Sequence, residues 1–214
     1  ASIARDVVVD EDTTVIVNFS LEPTLAVVAV LGDYKSQLTN LLMDNDIWAE
    51  KRDWDIIGDI SHYDAVVVNR PSDPGESTFL EFLEAASDNR VGVVFTSSWP
   101  VWEPYGISLL QWYLGDPAGQ SDDYWDGDVY YNVTQEHPIF AGWNVGDEIT
   151  IITGDDYLDH AWFWGYSGNV IADVGSVQKG IRGNAVAVGT YGGSTHVLLA
   201  SLGPQPDTDV TAWT

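Results

Sequence analysis

The stretch VGVVFTSSWPVWEPYG, residues 91–106, reads as a buried strand that turns sharply into a helix. Several α/β enzymes expose their nucleophile at such an elbow. The turn offers three hydroxyls, Thr96, Ser97 and Ser98, and the chain has no cysteine. Thiolate nucleophiles, disulfides and thiolate metal sites are therefore excluded. A serine nucleophile needs a base and backbone amides for the oxyanion. The available bases are His62, His137, His160 and His196, and none has a sequence context that pairs it with Ser98. No G-x-S-x-G pattern supplies the glycines of a strained elbow. Ser97 and Ser98 therefore read as partners for turn and helix N-terminal amides. A serine-dependent hydrolase using Ser98 and a histidine is the alternative.

Three of the histidines carry separate expectations as candidate site residues. His137, in EHPIF, reads as a cap on the turn before Pro138. His196, in STHVLL, reads as a core or edge histidine in an aliphatic strand. His160 lies near Asp155, Asp156 and Asp159. Such proximity can raise a histidine pKa or ligate a metal, but the segment reads first as a solvated acidic loop.

GQSDDYWDGDVYY, residues 119–131, places Asp122, Asp123, Asp126 and Asp128 in one expected loop. Calcium takes its oxygen ligands from such loops, yet the EF-hand order and its closing glutamate are missing. A plain acidic turn is the expectation, with no cofactor, and calcium on these four aspartates is the alternative. Beside the elbow stand Trp99, Trp102 and Tyr105. The carboxyl-end rim of an open α/β sheet is where ligands bind. Indole rings near carboxylates suit a sugar, so a carbohydrate-binding module on this rim is a second alternative. Most of the ten tryptophans are expected in the core.

These residues need elements to position them. LAVVAVL (25–31), YDAVVVNR (63–70) and RVGVVFTSS (90–98) are continuous apolar runs, the mark of strands buried on both faces. Between them, KSQLTNLLMDN and STFLEFLEAASDN have helical spacing, with Phe79, Leu80, Phe82 and Leu83 turned inward. WDIIGDI is read as a short second strand, and YGISLLQWYLG as a third helix. Strand and helix in alternation give a parallel sheet with helices on both faces. Later segments, DVYYNVT, DEITIIT, NVIADVG, NAVAVGTY and HVLLASLG, are strand-like without long helices between them. They are expected to extend the sheet, partly antiparallel. Residues 1–23 stand apart, as two short strands with an acidic turn. Two strands alone are marginal in water, so they would close an upstream β-sandwich or pack on the α/β segment after them.

Composition sets the outer limits. The chain has 214 residues, 45% of them hydrophobic, which suits a packed domain. Its 8 Lys+Arg against 33 Asp+Glu give a formal net charge of −25. Such a surface repels nucleic acid and anionic membranes. No apolar run approaches the roughly 20 residues of a membrane span. Acidity with many aromatics points to an exported, extracellular protein or to salt adaptation. The opening, ASIARDVVVDEDTT, reads as that of a cut fragment or processed product.

Three stretches in order, VVAVLGDY, RVGVVFTSSW, and EHPIFAGW followed by NAVAVGTYGGSTHVLLASLG, resemble the class I glutamine amidotransferase-like superfamily. The likeness spans about residues 25–203. It implies an α/β, flavodoxin-like three-layer fold over residues 24–214, with a mostly parallel central sheet and antiparallel additions in the C-terminal half. The catalytic members carry a cysteine at the elbow and a His-x-Glu partner, and this chain has neither. It is most similar to non-catalytic versions attached to secreted bacterial proteins, including subtilisin-like peptidases. Those continue into a final helix, and PQPDTDVTAWT stops where that helix would begin. Residues 1–23 resemble the closing strands of a carboxypeptidase-regulatory-like β-sandwich. The resemblance implies an accessory domain whose partners are other domains of the same polypeptide, with a carbohydrate or cell-surface ligand as the further option.

Overall fold

The computed structural model describes residues 26–32, 35–69, 74–96, 119–125, 128–152, 158–166 and 168–200. For 119–125, 152 and 158–161 it describes the backbone alone. The expected strands in 1–23, the helix YGISLLQWYLG and any helix after residue 203 lie outside these residues.

The first half is built from the apolar runs. β1 (Val27–Gly32), β3 (Ala65–Asn69) and β4 (Gly92–Thr96) form where aliphatic residues follow one another without alternation. Such runs are stable only with both faces covered. Val28 and Val30 pack with Leu38 of α1 (Lys35–Asp44) on one face. Ala29, Leu31, Val66, Val68, Val93 and Phe95 join Phe79, Phe82, Leu83 and Ala86 of α2 (Glu76–Asn89) in the other, larger cluster. The two helices thus serve opposite sides of the same strands. Leu80 is only half-buried, at the margin of the inward face of α2.

α2 ends at Arg90, whose φ of 57° is left-handed, while Arg90 N–H donates to Ser87 C=O and Val91 N–H to Ala86 C=O. This pair of bonds satisfies the last carbonyls and turns the chain directly into β4.

The second strand lies elsewhere than expected. It is β2 (Trp48–Lys51), an edge strand with one buried residue, Ala49. WDIIGDI forms two short 3-10 turns instead. Ile56 and Ile60, four apart, are both buried, which is a helical rather than an alternating period. Trp54 lies edge-on to Phe82, with centroids 5.4 Å apart. Arg52 reaches Tyr63 Oη at 2.5 Å and Asp59 at 3.2 Å, and Tyr63 donates to Glu50 at 3.1 Å.

Apart from a 3-10 turn at Pro138–Phe140, the elements described in the second half are strands: β5 (Gly119–Trp125), β6 (Val129–Val133), β7 (Glu148–Ile152), β8 (Leu158–Trp164), β9 (Asn169–Ser176), β10 (Gly180–Tyr191) and β11 (Ser194–Leu199). The sheet runs β2-β1-β3-β4-β11-β10-β9-β6-β7, with β8 pairing β10 and β5 pairing β8. β1–β2, β1–β3, β3–β4 and β4–β11 are parallel. The other six pairings among the described residues are antiparallel. The expectation of a mostly parallel sheet thus holds for five strands and not for the whole. Hairpins suffice to connect antiparallel neighbours, and the second half lacks, among the described residues, the crossover helices that parallel strands require.

β11 returns from the end of the described chain to lie between β4 and β10. Its start is fixed twice. Ser194 Oγ donates to Val91 C=O at 2.5 Å, and Gly193 N–H donates to Ser87 Oγ at 2.9 Å. Gly192, at φ +54°, makes this turn where a Cβ would collide with Ser87 Oγ. No helix among the described residues is long and apolar enough to cross a membrane.

Candidate functional site

The carboxyl ends of β1, β3 and β4 form a row in which Gly32 pairs with Asn69 and Asn69 with Thr96. Ligands in open α/β sheets bind beyond such ends. Asn69 is fully buried and Thr96 nearly so, and Thr96 Oγ1 donates to Asn69 Oδ1 at 2.7 Å. A buried hydroxyl or amide needs such a partner, because leaving it unpaired costs about 1–3 kcal/mol. The first hydroxyl of the elbow is therefore a strut between strands rather than an exposed nucleophile. Ser97, Ser98, Trp99, Trp102 and Tyr105 lie outside the described residues. Asn69 escaped the sequence reading. Its only signal is that a polar residue closes the run AVVVN.

The structure separates the histidines. His62 sits in a 3-10 turn before β3, at the amino end of the sheet, with Nδ1 3.0 Å from Asp59 C=O. His137 Nδ1 accepts from Ile139 N–H at 3.2 Å, capping the 3-10 turn Pro138–Phe140 as expected. His160 is placed by its backbone in β8, opposite Asp123 of β5. The expected acidic loop around it is thus strand from residue 158 onward, because β5 supplies a ladder for these backbone amides. Asp155 and Asp156 lie outside the described residues, and Asp159 pairs in register with Tyr124.

His196 is a core residue, 2% exposed. It pairs in register with Val93, three positions before Thr96, so roughly 10 Å of strand separates it from that end of the sheet. Its Nε2 lies 2.6 Å from Tyr166 Oη, and its Nδ1 is buried without a hydrogen-bond partner. Burial lowers the His196 pKa to about 4 and raises that of Tyr166 to about 12. Both rings are therefore neutral at pH 7. Among the described residues no carboxylate is hydrogen-bonded to this imidazole, as a catalytic relay would require.

The acidic segment also differs from expectation. Asp122 and Asp123 are consecutive positions of β5, opposite Ala161 and His160. Asp128 directly precedes β6 and accepts Val177 N–H at its carbonyl, 3.2 Å away. Asp126 lies outside the described residues. The four aspartates do not share one loop, since strand pairing takes half of it. Among the described residues no three His, Asp or Glu side chains converge as a metal site.

No protein-family model matches the chain, and neither does any curated protein. Among solved structures, it is similar to a ThuA-like protein from Parabacteroides merdae. The TM-score is 0.54 at 14% identity, over 82% of this chain and 78% of that one. The likeness shows a shared fold.

Proposed function

We propose that this chain, with the fold of a ThuA-like protein, is a non-catalytic accessory domain that binds or spaces other domains of a larger secreted hydrolytic protein. The observation that carries the reading is the Thr96–Asn69 bond at the crest of β3 and β4. Where the elbow begins, the hydroxyl is turned inward and already engaged. None of the three histidines with described side chains is hydrogen-bonded at that crest. The proposed architecture is the flavodoxin-like, three-layer form. The order β2-β1-β3-β4-β11 follows the 2-1-3-4-5 pattern of such sheets, with β11 in the fifth place.

The test is covalent labelling. The full chain is incubated with a fluorophosphonate, and ester turnover is compared with that of Ser97→Ala and Ser98→Ala. The expected result is no serine adduct and equal, background turnover in all three proteins. An adduct on Ser98, with turnover falling roughly a hundredfold or more in Ser98→Ala, makes the domain an enzyme.

A further inference from the structure

Among the described residues, β8 is joined to the main sheet by one registered pair, Phe163 with Asn184 of β10, and β5 is registered to β8. Buried Trp162 and Phe163 seat β8 in the core, and the segment after it adds a polar tether. Two residues beyond β8, the Tyr166 ring lies edge-on to Phe163, 6.3 Å away, and edge-on to His196, also 6.3 Å away. Its hydroxyl meets His196 Nε2 over Gly189, where a Cβ would collide with both Tyr166 Oη and His196 Nε2. We propose that the Tyr166–His196 pair is an acid-released latch that holds the β5–β8 ribbon on the sheet.

The chemistry rests on counting protons. If Nε2–H donated to the phenol oxygen, both the phenol hydrogen and the Nδ1 lone pair would be buried unpaired. With Tyr166 O–H donating to Nε2, only Nδ1–H is left unpaired, so this is the arrangement at neutral pH. Protonation gives the ring its second N–H, on Nε2, facing the tyrosine hydroxyl. The hydroxyl must then turn its own hydrogen towards apolar surroundings. Among the described residues, the groups facing the imidazole offer no countercharge. β4 presents Val93 and β10 presents Gly189. The buried face of α2 is Phe79, Phe82, Leu83 and Ala86, while Glu76, Glu81, Glu84, Asp88 and Arg90 are exposed. Tyr166 is the one titratable group against the ring among the described residues. Opening restores water to the imidazole and with it an ordinary pKa near 6.5. Between that value and about 4 the open form binds one more proton than the closed form.

Hydrogen exchange of the full chain, corrected for intrinsic rates, reads the latch. From pH 6 to pH 5, protection in peptides covering 119–125 and 158–166 is expected to fall roughly tenfold, while β1 and β3 hold theirs. In His196→Gln that pH dependence is expected to vanish. In Tyr166→Phe the ribbon is expected to open further at pH 7. Should His196→Gln not fold, ring NMR of the unaltered protein gives the answer, with His196 expected to stay neutral at pH 5. Protection that is flat with pH, an equal fall in every strand, the same fall in His196→Gln, or a His196 titration near 6.5 would each overturn the proposal.

Discussion

The parallel and antiparallel halves of the sheet reach stability by different means. In β1, β3 and β4 most residues are buried, and polar residues are confined to the crest, at Asn69 and Thr96. Helices on both faces supply that burial. In β9 and β10 burial is interrupted by Asp173 and Asn184, which bond each other at 2.9 Å, and the register shifts three times between the strands. Shifts of this kind bend a strand and strengthen its twist. The antiparallel half is thus shaped by local irregularity, and the parallel half by continuous apolar contact.

The sharpest way to break this comparison is Phe82→Ala. Phe82 is fully buried between Trp54 and Phe79, and its loss is expected to cost about 3–5 kcal/mol in urea unfolding. A cost below about 1 kcal/mol would remove the parallel half as the seat of stability. Next comes Thr96→Val, which keeps the shape but removes the donor to Asn69. It is expected to cost about 1–3 kcal/mol by the same measurement, and no cost would mean that the crest is not held by this bond. The smallest effect is expected from Asn184→Ala, at about 1 kcal/mol or less, because the bond to Asp173 is only half-buried. A larger loss there would make the irregular half as cooperative as the regular one.

The same division explains what was legible in the sequence. VVAVL and AVVVN announce doubly covered strands because covering demands apolar residues at every position. α2 was equally plain from Phe79, Phe82 and Leu83. β2 was not, because an edge strand with one buried alanine carries no apolar signal. β5 and β8 were hidden for a related reason. GQSDDYW carries two turn-favouring aspartates and LDHAWFW one, and most of their ladder comes from pairing with each other. At the candidate site, the absence of a cysteine and of a G-x-S-x-G pattern was readable directly. The Thr96–Asn69 and Tyr166–His196 pairs were not, since their members are 27 and 30 residues apart and no local pattern joins them.

The place of β11 has a consequence for how the molecule comes into being. Emerging last of the described strands, it fills the gap between two that precede it, and Gly193 closes on a helix residue 106 positions earlier. During synthesis β4 and β10 must wait with open edges, each able to recruit a stray strand from another molecule. Any ribosomal stall or premature stop before Ser194 would strand both at once. The 33 acidic against 8 basic residues of this chain work against such encounters, because like-charged molecules repel.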